Sequence, residues 1–114
     1  MDLIMENKEY ILCAAVWYKE FPHIKNNEVP LDRYLPKNCE SGAVFTGIRH
    51  GQCIYLKSAV TGLRDAESGN HVQGFLTNLN RFVDRQEGWN IAKNADQIIM
   101  VSGREGTLYS EDLY

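Results

Sequence analysis

The chain has 114 residues, enough for one hydrophobic core and too few for two, so we expect a single domain over residues 1–114. Its 44% hydrophobic and 24% charged residues argue against a disordered chain. A net charge of -3 excludes a non-specific nucleic-acid coat, which needs a basic face. A small phosphorylated ligand needs only a few cations and stays possible.

No apolar run approaches the roughly 20 residues of a membrane span. The first residues, MDLIMENKEY, lack the basic and apolar regions of a signal peptide. We therefore expect a cytoplasmic protein with no membrane partner. Cys13, Cys39 and Cys53 form no CxxC pair, so we expect reduced thiols.

In the first half of the chain, residues 9–19 (EYILCAAVWYK) are apolar on both alternating faces and predict a central strand. Residues 20–42 hold all three prolines and predict a long loop, either functional or a tolerated surface excursion. Residues 43–49 predict a second strand. Residues 52–63 fit a helix or a strand; we favour a helix that ends at Gly62 or in the polar stretch after it.

In the second half, residues 72–77 and 81–83 flank the polar tripeptide Asn78-Leu79-Asn80 and predict a hairpin. Asp84, followed three residues later by Glu87, is typical of a helix start. A stripe of mostly small residues follows at helical spacing and predicts close packing of that helix: Gly88, Ile91, Ala92 and Ala95.

The last residues predict one more strand at 97–101 (QIIMV) and a polar-aromatic tail at 102–114. A disordered tail seldom needs two leucines and two tyrosines, so we expect it to dock on the body or on a second subunit. The predicted fold is α+β, a small antiparallel sheet with one or two short helices.

Catalytic signatures are weak. His50 with Cys53 is the nearest approach to a metal site, and two residues at that spacing do not make one. Neither GxGxxG nor a P-loop occurs, and no nucleophile is paired with an evident base. We expect no metal, no cofactor and no enzyme activity.

Arginines recur beside aromatic or glycine positions: Arg49, Arg81, Arg85 and Arg104. An arginine fork donates two parallel hydrogen bonds to a phosphate, and an aromatic face can stack on a base. The structural alternative is that Phe82 is core and that Arg85 only shields acids in a first helical turn. Arg104, set among glycines, is less easily explained structurally.

Three stretches, IRHGQCI, QGFLTNLNRFVDRQEGWNIAKNADQI and LYSEDLY, give the chain a family likeness. It resembles the first-described Thoeris anti-defence family, small phage proteins that disarm a bacterial immune pathway. The likeness covers residues 47–54 and 73–114.

The resemblance implies a sponge that binds the glycocyclic ADP-ribose made by TIR-domain sensors and keeps it intact in the cytoplasm of an infected bacterial cell. Some relatives also hold cyclic oligonucleotides, and members form dimers that assemble into hexamers, so a homo-oligomer is implied. Arginines would hold the diphosphate, a phenylalanine would stack, and polar side chains would complete the site. The candidate ligand-binding residues are Arg49, His50, Phe75, Phe82, Asp84, Arg85, Asn94 and Arg104.

Two other hypotheses remain open. The chain is alternatively a protein-binding inhibitor of a host factor, using the proline-bearing loop and the aromatic tail. Less favoured is a small nucleotide hydrolase with His50 as acid or base. From the sequence, Arg85→Ala or Arg104→Ala is expected to weaken ligand capture and leave the melting temperature nearly unchanged.

Overall fold

The computed structural model describes residues 8–19, 35–64 and 69–114. They form a four-stranded antiparallel sheet in the order β2-β1-β3-β4, with two helices. The elements are β1 (Ile11–Tyr18), β2 (Ala43–Gly47), α1 (His50–Thr61), β3 (His71–Thr77), β4 (Phe82–Asp84), α2 (Arg85–Asn94) and a 3-10 turn (Ser110–Asp112). The predicted α+β class is confirmed. Neither helix of these residues has the length and apolar character to cross a membrane.

Strand β1 is central, as predicted, because it pairs with β2 on one side and β3 on the other. Its alternate residues Ala14, Val16 and Tyr18 are fully buried in the main core. Ala15 is fully buried on the opposite face, in a smaller cluster with Cys39. Both faces of the strand are therefore covered beyond the half-exposed Leu12, which explains why its sequence is apolar on both faces.

Helix α1 confirms the helical interpretation of the ambiguous segment and begins at His50, two residues before the predicted start. The side chain of Gln52 accepts hydrogen bonds from the Ile48 and Arg49 amides, at 3.0 and 3.1 Å, which satisfies donors at the helix start. Gly62, one of the two predicted ends, terminates the helix in the left-handed conformation with φ of 73°.

The predicted hairpin joins β3 to β4, with the Thr77 amide bonded to the Arg81 carbonyl at 2.9 Å. Asn80 has φ of 59°, a left-handed conformation that asparagine tolerates at the end of such loops. The register pairs Phe75 with Val83 and Leu76 with Phe82. Because cross-strand partners share a face, Phe75 and Phe82 lie on opposite faces of the sheet.

Helix α2 begins at the predicted cap, where the Asp84 carboxylate accepts from the Glu87 amide at 2.8 Å. Gly88 and Ala92 are buried, as the small-residue stripe predicts. A Cβ on Gly88 would lie 3.1 Å from the Phe75 ring and 3.3 Å from Leu108, so the helix sits close to both. Trp89 is buried as well, on a flank of the helix that the stripe did not include.

The predicted strand at residues 97–101 is wrong, because these residues belong to no strand of the described structure. The Gln97 side-chain oxygen accepts a hydrogen bond from the Ile11 amide at 2.8 Å, and its side-chain nitrogen donates to the Ile11 carbonyl at 2.9 Å. The Ile99 amide bonds to the Asp112 carbonyl at 2.8 Å. These single contacts replace the continuous ladder that an alternating sequence alone suggests.

The C-terminal residues dock on the body. Leu108 and Leu113 are both buried in the main core, and the 3-10 turn lies between them. The Leu108 amide bonds to the Arg85 carbonyl at 2.9 Å, which fixes the segment against the start of α2. Residues 108–114 are called the C-terminal segment below.

Most of the predicted loop at 20–42, including Lys25 and Arg33, lies outside the described residues. Its end contacts β4, where the Asn38 side chain bonds the Phe82 amide at 2.8 Å and the Phe82 carbonyl at 2.7 Å. The Lys37 amide bonds to the Asn80 carbonyl at 2.8 Å. These bonds occupy the outer edge of β4.

Glu9 and Arg81 form a forked ion pair, with both nitrogen–oxygen distances at 2.8 Å. Hydrogen bonds from Arg81 hold the pKa of the Glu9 carboxyl below its usual 4.5, although burial opposes them. A depressed folded pKa stabilises the protein above the unfolded pKa, and that stability is lost as the pH falls through the folded value. We expect Glu9→Gln to cost about 1–2 kcal/mol at pH 7 and much less near pH 3, measured by urea unfolding. A pH-independent gap between parent and variant would contradict this.

Candidate functional site

Arg85 is the centre of a cluster on the main-core face. Its guanidinium donates to the Leu108 carbonyl at 2.8 Å and to the Gln73 side-chain oxygen at 2.7 Å. It also lies 3.4 Å from Nδ1 of His50. Burial lowers its pKa below the usual value, and the nearby Tyr109 and acids oppose that shift. An arginine remains charged after such a shift, so a cation is held half-buried here.

His50, the first residue of α1, lies against that cation. Its Nε2 lies 2.7 Å from the Gly74 carbonyl, which can only accept, so Nε2 carries the proton and Nδ1 is an acceptor toward Arg85. Its ring meets Phe75 edge-on, with centroids 5.1 Å apart. Burial lowers the pKa of His50, and the charge of Arg85 lowers it further. The imidazole is therefore neutral at pH 7.

Arg49, at the N-cap of α1, reaches toward the C-terminal segment. It donates to the Ser110 carbonyl at 2.9 Å and to the Tyr114 main-chain oxygen. Its nearest side-chain carboxylate among the described residues is Glu111, at 3.9 Å, and both side chains are more than one-third exposed. Such a contact contributes little, so most of the bonding of Arg49 is to main-chain oxygens.

The arginines of the cluster differ from Arg81 in their side-chain partners. Among the described residues no side-chain carboxylate forms an ion pair with Arg85, and the one near Arg49 is the distant Glu111. Arg81, by contrast, is bound to Glu9 and Glu87 at 2.8 and 2.9 Å. Arg85 therefore bonds neutral oxygens, and Arg49 bonds the Ser110 carbonyl and an oxygen of Tyr114, the last residue of the sequence. Arg81, in contrast, is a structural ion-pair residue.

Asp112 is fully buried near this cluster, and it serves the C-terminal segment itself. Burial alone would raise the pKa of its carboxyl, but hydrogen bonds from Ser102 and Tyr109 outweigh burial and hold that pKa below the usual value. The bonds are from the Ser102 amide at 2.7 Å and the Tyr109 amide at 2.9 Å. The carboxylate thus stabilises the segment and does not contact Arg85.

Two tyrosines cover the arginines. The Arg85 guanidinium lies 4.7 Å from the Tyr109 ring centre, and that of Arg49 lies 5.2 Å from the Tyr114 ring centre. A Cβ on Gly103 would lie 2.5 Å from the Tyr109 ring, so this glycine makes room for the ring. The sequence analysis predicted only that the tyrosines dock the tail. Sequence reasoning could have found this arrangement from Tyr109 and Tyr114, which stand at the two ends of YSEDLY.

The two phenylalanines predicted to stack on a ligand are both core residues. Phe75 is 0% exposed and Phe82 is 6% exposed. Phe82 packs edge-on against Trp17, with centroids 5.6 Å apart, on the face opposite the arginine cluster. Neither ring presents a free face, so the aromatic surfaces beside the arginines are the tyrosines.

The remaining predicted residues lie apart from the cluster. Asp84 is engaged as the cap of α2, and Asn94 is exposed at the other end of that helix. Arg104 is exposed in a turn closed by a 3.1 Å bond from the Thr107 amide to its carbonyl. The structure thus brings together Arg49, His50 and Arg85, with Phe75 beneath them, and separates Phe82, Asp84, Asn94 and Arg104 from them.

A groove of about 210 Å³ lies on the Phe82 face of the sheet. It is lined by Trp17, Lys19, Val72, Phe82, Asp84 and Glu87. Its acids are already used, because Asp84 caps α2 and Glu87 pairs with Arg81. With two carboxylates and one ammonium it is a poor anion site, so the arginine cluster is the better candidate for a phosphate.

The described residues offer no activated cysteine nucleophile and no cluster of metal ligands. Burial raises the pKa of both Cys39 and Cys53 to about 11, so each is a neutral thiol at pH 7. Within the described ranges no three His, Cys, Asp or Glu side chains group as metal ligands do. Guanidinium groups beside aromatic rings are groups that anions and bases pair with, so the cluster is a candidate anion site.

The fold and this cluster define a small α+β protein with a candidate anion site, and sequence comparison supplies its family. A model of the phage T4 y16D protein family matches residues 10–114. The chain belongs to this phage protein family. No curated protein and no solved structure matches it.

Proposed function

We propose that this protein binds and sequesters a cyclic nucleotide signal through Arg49 and Arg85. The supporting observation is that the half-buried Arg85 guanidinium bonds two neutral oxygens, the Leu108 carbonyl and the Gln73 side-chain amide, and that no carboxylate of the described residues forms an ion pair with it. A phosphate accepts the same hydrogen bonds, adds a full negative charge, and matches the guanidinium fork with two oxygens. Ligand phosphates therefore replace the carbonyl acceptors of the C-terminal segment.

The segment also supplies the rest of the pocket. Tyr109 and Tyr114 already lie over the two guanidinium planes, and a base can stack on the same rings. Because Leu108 and Leu113 anchor the segment in the core, it can shift over a ligand without leaving the body. Closure by an anchored segment slows release, which a sequestering protein requires.

In this proposal the protein does not chemically alter the bound ligand, because no described residue of the cluster is an available base. Both ring nitrogens of His50 are engaged, and burial lowers its pKa, so it neither attracts nor supplies a proton readily at pH 7. Cys39 and Cys53 are buried, Cys13 is half-buried, and burial raises the pKa of all three thiols. We therefore propose binding without degradation and assign no cofactor.

The ligand class comes from the resemblance to the Thoeris anti-defence family. A glycocyclic ADP-ribose has a diphosphate for the two arginines and an adenine for a tyrosine. Membership of a phage protein family agrees with a role against a bacterial immune signal inside an infected cell. The proposal is thus a sponge for the TIR-derived signal, with cyclic oligonucleotides as a further ligand class to test.

The test mixes the purified protein with TIR-derived cyclic ADP-ribose or, separately, with cyclic oligonucleotides, assays the unbound fraction, and then heat-denatures the protein. Mass spectrometry of the released molecule distinguishes the hypotheses. Depletion followed by recovery of intact ligand is the expected result. Recovery of a molecule with changed mass identifies an enzyme, and no depletion of either ligand class overturns the proposal in favour of a protein-binding inhibitor.

A further inference from the structure

The groove beside Phe82 has a flat aromatic wall formed by Trp17. The indole N–H of Trp17 donates to the Ser41 carbonyl at 2.8 Å, and its ring meets Phe82 edge-on, with centroids 5.6 Å apart. The Lys19 ammonium lies 4.8 Å from the centre of the Trp17 ring. This fixed ring therefore already accepts a cation from within the chain.

The acids of the groove keep part of their hydrogen-bonding capacity. Asp84 accepts from the Glu87 amide through Oδ1, and Glu87 accepts from Arg81 through Oε2. Within the ranges that the structure describes, Oδ2 of Asp84 and Oε1 of Glu87 accept no hydrogen bond, and Lys19 forms no ion pair with either residue. Both acids are exposed. A group with several N–H donors can use these oxygens without breaking the existing bonds.

The size and the charge of the groove indicate what it holds. Its volume of about 210 Å³ is below the roughly 300–1,000 Å³ of a pocket that encloses a whole small molecule, so a single side chain fits it better. Two carboxylates and one ammonium line it, so it favours a cation. The nearby Arg81 does not change that balance, because Glu9 pairs with it. The net charge of -3 on the whole chain also attracts a basic partner.

We infer that this groove docks the guanidinium group of an arginine side chain from a partner protein. A guanidinium stacks flat on an aromatic ring and donates as a fork to carboxylates, two contacts that a compact ammonium does not combine. The arginine therefore displaces Lys19 from Trp17. Its N–H groups donate to Oδ2 of Asp84 and Oε1 of Glu87, and its aliphatic stem lies along the apolar part of the groove. This inference does not depend on the proposed nucleotide, whose site lies on the other face of the sheet.

The test titrates the full chain with a Gly-Arg-Gly peptide blocked at both ends and follows the two indole N–H resonances by NMR. We expect the Trp17 resonance to shift and saturate, and that of Trp89, which is buried in the main core, to stay in place. The same peptide with citrulline for arginine keeps nearly the same shape without the charge, and we expect it to shift neither resonance. An unmoved Trp17 resonance, or an equal shift with the citrulline peptide, would overturn the inference.

Substitutions in the groove give the expected order of affinities for the arginine peptide. Glu87→Gln and Asp84→Asn should each weaken binding at least about threefold, the effect of losing one exposed charge pair. Asparagine also caps helices, so Asp84→Asn keeps the start of α2. Lys19→Gln should tighten binding about twofold or more, because it removes a competing and repelling charge.

Glu105→Gln is the matched control, because it removes one exposed carboxylate that does not line the groove. It is expected to leave the affinity unchanged. If Glu105→Gln weakens binding as much as Glu87→Gln, or if Lys19→Gln does not tighten it, the peptide is attracted by overall charge and the docking site is rejected. The comparison of the two peptides on the parent chain decides the matter even where a variant misfolds.

Discussion

Arg85→Ala is expected to weaken capture of TIR-derived cyclic ADP-ribose by at least about tenfold. The variant removes the fork that would bind a phosphate, and each charged hydrogen bond contributes about 1.5–3 kcal/mol. Equilibrium dialysis with mass-spectrometric detection of free ligand measures the loss. The same substitution removes the cation at the centre of the cluster, so Arg49 alone would remain to hold a diphosphate.

The structure changes what the sequence predicts for the stability of this variant. Arg85 bonds the Gln73 side chain and the Leu108 carbonyl in a half-buried position, so the truncation leaves two acceptors without a donor. A cost of about 1–3 kcal/mol in unfolding free energy follows, instead of an unchanged melting temperature. Arg104→Ala remains expected to leave the melting temperature nearly unchanged, because that side chain is exposed.

Arg81→Ala separates binding from stability. It removes one positive charge and breaks the ion pairs with Glu9 and Glu87, but it lies outside the cluster. We expect it to lose stability and to capture ligand like the parent, when both are measured well below their melting temperatures. Equal loss of capture in Arg81→Ala and Arg85→Ala would show that the effect comes from folding or net charge and would remove Arg85 from the site.

The elements of this fold that the sequence predicted are those fixed by local chemistry. The Asp84 cap, the Gly62 helix end and the three-residue loop at 78–80 each depend on a few neighbouring residues. The prediction of a strand at 97–101 was wrong because it used only the pattern of side chains. That pattern does not show whether a partner strand lies alongside. In the described chain the Gln97 side chain and Asp112 take the hydrogen bonds that a strand would make.

The candidate site was predicted in part for the same reason. Arg49 and His50 are adjacent in sequence, and Arg85 joins them because the first turn of α2 lies beside Gly74 and Gln73 of β3. Phe82 lies on the opposite face of the sheet from them, because it pairs with Leu76 of β3 and not with Phe75. Only the pairing of β3 with β4 sets which ring faces the arginines, and that register is a long-range property.

Leu108→Ala is expected to have the largest effect on stability. Leu108 is 0% exposed, packs against Gly88, and both its amide and its carbonyl bond to Arg85. Truncating a fully buried leucine costs about 2–5 kcal/mol, which lowers the melting temperature by at least about 8 °C in a domain of this size. Thermal unfolding measures it, with Leu56→Ala as the control, because Leu56 loses the same atoms from a position 41% exposed on α1.

The same variant tests whether the C-terminal segment closes the site. Leu108→Ala keeps both guanidinium groups and both tyrosines, but it loosens the anchor that holds them together. We therefore expect ligand to bind and to leave faster than from the parent, measured by displacement with unlabelled ligand at a temperature where the variant is folded. An unchanged release rate would mean that residues 108–114 do not close over the ligand, and would shift the search for its pocket to the groove beside Phe82.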